Sequence, residues 1–325
     1  MNESLGVSII CNAYNHEKYI RDALNGFLIQ KTSFPIEVLV HDDASTDHTA
    51  EIIREYERNY PELIKPIYET ENQYKKKNGT IKRLQAERAK GKYIAFCEGD
   101  DYWTDPLKLQ KQYDFMEANP EYTLCGCSTE WLNMLTGKVE KRCVTEKDKD
   151  VSLETLLSTN DGRIFTTVSY FMKPEIWKEL PAWGFPVGDL PMTYFAAMQG
   201  KVRMLADSMC VYRWYTEGSW TMRQSRSGER VETHLKMVAA LERMNQSTGY
   251  QYDEMIQRRI LIHRYSAAKL NHNFKALRSG ELGEMYRKRS FAHRLMDRLC
   301  CQAPSVYLFL ERMAGRTQTR VFDKR

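Results

Sequence analysis

The sequence predicts an α/β protein: a domain with a mixed central sheet covered by helices, followed by a helical region. Two observations predict it. Over the first hundred residues short apolar runs alternate with amphipathic segments, the pattern of a parallel sheet covered by helices. Beyond about residue 228, nearly every segment repeats at helical spacing. The 325 residues are 42% hydrophobic and 28% charged, so the chain can bury a core.

Taken in order, Val7–Asn12 reads as a buried strand. Glu17–Gln30 follows as a helix with Ile20, Leu24, Phe27 and Leu28 on one face. Ile36–His41 is a second strand, and Asp47–Tyr60 a helix carrying Ile52, Ile53 and Tyr56 that Pro61 halts. Leu63–Glu69 and Lys92–Cys97 are strands separated by the helix Ile81–Lys90. Asp105 reads as the cap, and Pro106 as the first residue, of a helix over Leu107–Glu117. Tyr122–Asn133 and Lys138–Val144 then read as strands around a Thr136-Gly137 turn, and Arg163–Met172 as another β-rich run. Asp189–Gln199 is helical and Val202–Trp214 returns to strand, so an antiparallel region extends the α/β core. In the helical region Val231, Leu235, Val238 and Leu241 mark one face; Ile256, Ile260, His263, Ala267 and Leu270 mark another, with His263 a packed core residue.

Several classes drop out. No apolar run approaches the roughly 20 residues a membrane-spanning helix requires. Met1-Asn2-Glu3-Ser4 does not begin a secretory signal, and the eight cysteines show neither disulfide-framework nor zinc spacing, so a cytoplasmic chain is expected. Neither of the two commonest glycine-rich phosphate cradles is present.

Chemistry concentrates at two strand ends. Asp42-Asp43-Ala44-Ser45-Thr46-Asp47 follows the second strand, and Glu98-Gly99-Asp100-Asp101 the fourth. Ligands of parallel sheets bind beyond the carboxyl ends of strands. Carboxylates there can accept hydrogen bonds from a base or ribose, or hold a hard divalent cation that bridges phosphates. Alternatively, Ser45 or Asp47 caps the next helix.

These segments, with Val7-Ser-Ile-Ile-Cys-Asn-Ala-Tyr-Asn15 and Lys92-Tyr-Ile-Ala-Phe-Cys-Glu-Gly-Asp-Asp101, resemble the N-terminal signatures of the inverting family 2 glycosyltransferases, which have the GT-A fold. The likeness is specific over residues 5–120 and fades by about residue 221. It divides the chain into a GT-A domain, 1–221, and a helical, basic region, 222–325. The resemblance implies that Asn12 and Asn15 line the nucleotide pocket, with Asp43, more than Asp42, facing the base, usually uracil. It implies that Asp101 binds Mg²⁺ or Mn²⁺ with Glu98 beside it, and that Asp100 meets the donor ribose or sugar. Glu98 stands where the family's motif begins with Asp. A lysine of Lys75-Lys76-Lys77 is a further donor contact or a solvated loop.

Inversion by a single displacement needs a general base for the acceptor hydroxyl. Gly188-Asp189-Leu190-Pro191 resembles the family's acceptor-side acidic motif, which makes Asp189 the candidate base, or else a helix cap; Asp207 is a rival. Further on, Arg213 offers a fork of donors for diphosphate, Trp214 and Tyr215 offer faces for a sugar, and Gly218-Ser219 a hinge. Residues 281–325 hold ten basic against five acidic residues, the chain's whole net charge of +5. This end reads as a peripheral anchor to anionic membrane or as a solvated helix; no nucleic-acid motif accompanies it. The expectation is thus a metal-dependent inverting glycosyltransferase that moves a hexosyl or N-acetylhexosaminyl group from a UDP-sugar to a glycan or lipid-linked acceptor. Its rivals are a sugar nucleotidyltransferase on a related core and a non-catalytic glycan- or membrane-binding scaffold.

Overall fold

The computed structural model describes residues 4–76, 79–158, 164–217 and 227–313. The expected Gly218-Ser219 hinge and Lys77 lie outside them. The chain divides into two compact units, residues 1–182 with 187–219, and residues 183–186 with 220–325.

The first unit is a mixed sheet with helices on its faces. Val7–Ala13 (β1) is β-branched and apolar enough to be buried on both sides, and it lies between Ile36–Asp42 (β2) and Tyr93–Phe96 (β4), parallel to both. Ile64–Tyr68 (β3) extends the parallel set beyond β2. Ile20–Leu28 (α1) and Thr49–Asn59 (α2) cover this part, α1 through Ile20, Ala23, Leu24 and Phe27. A Cβ on Gly26 would stand 3.0 Å from the backbone N and O of Trp103, so only glycine lets α1 approach the short strand Tyr102–Trp103 (β5). Gln73–Lys76 (α3) and Thr80–Arg88 (α4) lead into β4.

Lys108–Ala118 (α5) begins later than expected. Its N-cap is Leu107, while Asp105 accepts from the Leu107 N–H (2.8 Å) and Lys111 Nζ (2.8 Å) in the turn before it. Tyr122–Asn133 (β6) and Lys201–Trp214 (β10) run parallel as long neighbours, and Val139–Cys143 (β7) and Lys149–Asp150 (β8) pair antiparallel at their sides. The β-rich run expected over 163–172 is corrected. Its described part holds a single 3₁₀ turn, Thr167–Ser169, and a two-residue strand, Phe171–Met172 (β9). β9 is antiparallel to both β4 and β6, bridging two parallel blocks. The turn before it is pinned by the Trp103 indole, which donates to the Val168 carbonyl (2.9 Å). Leu153–Ser158 (α6), Pro174–Lys178 (α7) and Asp189–Gln199 (α8) complete the unit. Sheet order is β3-β2-β1-β4-β9-β6-β10-β5, and β1 to β4, β6 and β10 all end on one edge.

The second unit is helical: Ser227–Ser247 (α9), Asp253–Leu270 (α10), Phe274–Leu277 (α11), Gly280–Lys288 (α12), Phe291–Gln302 (α13) and Pro304–Met313 (α14). The apolar face of α9 is Met237, Val238, Leu241 and Met244, whereas the expected Leu235 is 54% exposed. His263 is buried as expected, its Nδ1 2.9 Å from that of His234. Asp297 is fully buried against Lys269 (2.9 Å) and Arg289 (2.8 Å) and accepts from the Tyr265 hydroxyl (2.6 Å). Among the described residues no helix is long and apolar enough to cross a membrane.

Candidate active site

The strand ends on the shared edge are knotted together. After β1, Asn15 has a left-handed backbone (φ 55°), and after β2 so does Ala44 (φ 60°). Such non-glycine residues carry strain of about 1–3 kcal/mol and gather at functional sites. Here the two loops hold each other. The Asn15 side chain accepts from the Thr46 N–H (2.8 Å), and the Asn15 N–H donates to Ser45 Oγ (3.0 Å). Asp47, one residue before the His48 N-cap of α2, accepts from the Thr49 N–H (2.9 Å) and also from the Glu17 N–H (3.0 Å). Asn15 thus builds the loop framework rather than standing free in a pocket.

Asp43 has a role that the sequence hid. Its two oxygens accept from the Gln73 N–H (2.6 Å) and the Tyr74 N–H (3.0 Å), capping α3. Asp42 is equally buried, and one of its oxygens accepts from the Ser45 N–H (3.3 Å) while the other accepts from no described group. Burial raises its pKa. Asp42 Oδ1 is therefore a buried acceptor with no partner among the described residues, beside the capped Asp43. The buried His41 ring lies 3.8 Å from both Asp43 and Glu69, and burial lowers its pKa.

At the end of β4 the second acidic cluster is held from three directions. Asn12 donates to Glu98 (3.3 Å) and accepts from Gln85 (3.4 Å), which also donates to the Leu39 carbonyl (2.9 Å). Asp101, only 1% exposed, accepts from the Arg213 N–H (2.8 Å), and Asp100 accepts from the Thr216 hydroxyl (2.8 Å). Tyr215, between those two, has the third left-handed backbone at this edge (φ 63°). Burial, then the neighbouring Asp100, pushes Glu98 up to about 7; the same two causes push Asp101 well above the carboxylate range, against the pull of the Arg213 N–H. Carboxylates so crowded gain from a proton or a cation.

That donor set fits a hard divalent ion in one particular way. Among the described residues no three His, Cys, Asp or Glu side chains are grouped to hold a metal alone. Mg²⁺-type ions commonly take one or two carboxylates and complete their shell with water and substrate phosphates. Asp101 and Glu98 can supply the protein's share, since one oxygen of Asp101 remains after the Arg213 contact.

Arg213 does not present the free fork expected for diphosphate. Its guanidinium donates to the Asp100 carbonyl (3.0 Å) and to the Asp22 carboxylate, and lies over the Tyr102 ring (4.4 Å to the centroid). It clamps the acidic loop to α1. Trp214 also departs from expectation. It is buried against Trp131 (centroids 5.8 Å apart), with the Arg142 guanidinium 3.9 Å from its ring centroid, so it packs the core instead of facing a sugar. Lys75 lies 6.0 Å from the Tyr14 ring centroid and Lys76 pairs with Glu71 (2.8 Å).

Asp189 is the first residue of α8, with Gly188 as the cap, and its carboxylate accepts from the adjacent Leu190 N–H (2.9 Å). Two contacts tie its backbone to the acidic strand: Phe96 N–H donates to the Tyr170 carbonyl (3.3 Å), and the Tyr170 hydroxyl donates to the Asp189 carbonyl (3.3 Å). Asp207 pairs with Lys111 (2.6 Å) on an exposed stretch of β10 where the pairing register shifts. The sequence reading missed Asp22, Gln85 and Thr216. None stands in a motif, and each acts through a partner more than 45 positions away.

The carboxyl edge of an α/β sheet, here with strained loops and crowded carboxylates, is where such sheets bind ligands. Comparison with known proteins gives the class. Residues 8–165 match the family model "Glycosyl transferase family 2". An uncharacterized protein of Mycobacterium tuberculosis is 38% identical over 214 residues, which is 66% of this chain and 60% of that protein. The Escherichia coli UDP-Glc:alpha-D-GlcNAc-diphosphoundecaprenol beta-1,3-glucosyltransferase WfaP is 38% identical over 112 residues, 34% of this chain and 41% of WfaP. The crystal structure of Staphylococcus aureus TarS in complex with UDP-GlcNAc superimposes with a TM-score of 0.58 at 18% identity, covering 96% of this chain and 84% of that one. Residues 8–165 thus match a family 2 glycosyltransferase domain, and the fold is GT-A-like. It spans about 60% of the length of the Mycobacterium protein it matches.

Proposed function

We propose that the protein is a metal-dependent inverting glycosyltransferase that moves a hexosyl or N-acetylhexosaminyl group from a UDP-sugar to a glycan or lipid-linked acceptor. One observation carries the proposal. Glu98 and Asp101 are fixed beside Asp100 on the carboxyl edge of the sheet, where burial and repulsion from Asp100 raise both pKa values and favour a bound cation or a proton. WfaP is named for a UDP-Glc donor and a diphosphoundecaprenol-linked acceptor, and TarS was crystallised with UDP-GlcNAc, which supports a UDP-sugar here.

In this reading Asp42 and Asn12 meet the nucleotide, with Asp43 and Asn15 holding the loops that form its pocket. Asp100 meets the ribose or sugar. Asp101 and Glu98 would hold Mg²⁺ or Mn²⁺, which neutralises charge on the departing diphosphate when bound. Asp189 accepts the acceptor hydroxyl's proton as the oxygen attacks the anomeric carbon, so the C–O bond to diphosphate breaks on the opposite face and the anomeric configuration inverts. Arg213 positions the acidic loop from behind.

The test is UDP release from UDP-glucose and UDP-GlcNAc with Mn²⁺, acceptor glycan present or absent. Wild-type activity abolished by a chelator and lowered about 10²–10³-fold in Asp101→Asn is the expected result. Undiminished turnover by Asp101→Asn or in chelator would overturn the metal assignment.

A further inference from the structure

On α14, Val306, Phe309, Leu310 and Met313 fall at i, i+3, i+4 and i+7 and therefore share one face. All four are exposed, from 38% for Leu310 to 74% for Met313. The helix is seated through a different face: Tyr307 and Glu311, one turn apart, are half-buried, and the Tyr307 ring centroid lies 5.3 Å from Lys269 Nζ. The neighbouring α13 is built the same way. It turns Asp297 and Cys300 inward and leaves Phe291 and Leu295 exposed. Seven large apolar side chains are exposed within residues 291–313, against nine in all the other described residues.

The charge beside this apolar surface is positive. Arg298 stands at i+3 from Leu295 and i+7 from Phe291, on their face, with the half-buried Arg294 next to it; Arg287 and Lys288 are exposed at the end of α12. On α13 the acid Asp297 is buried and already paired with Lys269 and Arg289; the other acids nearby are exposed Glu281 and Glu284 on α12 and half-buried Glu311 on the seated face of α14. A second copy of the chain is a poor occupant for such a face, because a two-fold contact would set arginines against arginines. An anionic lipid surface suits both parts, taking the apolar stripe at the headgroup boundary and the arginines at its phosphates.

We infer that α13 and α14 form a docking face for an anionic phospholipid surface. The inference rests on these helices and not on the transfer reading. It is tested by flotation of the full chain with phosphatidylcholine vesicles containing or lacking phosphatidylglycerol. Binding is expected only with phosphatidylglycerol, and it weakens as salt rises. Arg294→Gln with Arg298→Gln lowers affinity about 25-fold, roughly fivefold per charge. Phe309→Ser with Leu310→Ser lowers it about tenfold or more. All four side chains are at least partly exposed, so an unchanged melting temperature identifies folded variants. No binding by wild type, equal binding to both vesicles, or indifference to both double variants overturns the inference. So does a concentration-dependent dimer that Phe309→Ser with Leu310→Ser abolishes, which would assign the face to a second copy.

Discussion

Arg213 shows how much a single residue can do for a site it does not enter. Its backbone N–H holds Asp101, its guanidinium holds the Asp100 carbonyl and Asp22, and its plane rests over Tyr102. Lysine keeps the charge but not the fork or the stacking. Arg213→Lys is therefore expected to cost about 2–3 kcal/mol in a urea melt, from lost hydrogen bonds to charged and buried groups. UDP-sugar turnover should fall with it, through a misplaced Asp100. A different signature is expected at Asp189, whose carboxylate makes no tertiary hydrogen bond among the described residues. Asp189→Asn should leave the melt unchanged and lower kcat about 10²–10⁴-fold with little change in donor KM, as loss of a general base does. Wild-type kcat in that variant would return the role to another group. The acidic clusters were legible because an apolar run ends abruptly in carboxylates. The cap that Asp43 places on α3 was not, since its partners Gln73 and Tyr74 are thirty positions away and carry no signal of their own.

Among the elements, strands and helices with strong periodicity were found within a few residues of their ends: β1, β2, β4, β6, β10 and α8 are all close to expectation. The misreadings have local causes. Arg163–Met172 is rich in β-formers, yet β9 is held to two residues because it must cross antiparallel between β4 and β6. On α9, Leu235 fits the apolar repeat by spacing, but the buried stripe runs through Met237, Val238, Leu241 and Met244, which places Leu235 outward.

The packing of α9 on α10 also sets a pH dependence. His234 and His263 share one hydrogen bond between their Nδ1 atoms, so one ring donates and the other must be a neutral acceptor. Burial, reinforced by Arg230 and Arg259 for His234 and by Arg259 for His263, lowers their pKa values from 6.5 to about 4 and about 3. Below 6.5 the unfolded chain therefore binds more protons than the folded one, so stability rises with pH and is lost as pH falls from about 6.5 toward 4. Melting temperature measured across that window should drop, and His263→Gln should flatten the slope. An identical slope in His263→Gln would show that the pair does not control it.

Across the whole molecule, charge and chemistry are segregated. The net +5 lies in the last 45 residues, while carboxylates collect on the carboxyl edge of the sheet in the other unit. Only the fold reveals that loops after β1, β2, β4 and β10 converge there, because β10 lies more than 110 positions from the acidic motif it holds. Under the proposed function, the crowded carboxylates at this edge bind a cation and a nucleotide diphosphate together. Thermal unfolding with UDP and Mn²⁺, separately and combined, tests it most directly. Combined at about a hundred times the dissociation constant, they should stabilise wild type by roughly 2.7 kcal/mol, and Asp101→Asn far less. A wild-type shift with UDP that is indifferent to Mn²⁺, or one that Asp101→Asn retains in full, would contradict the account.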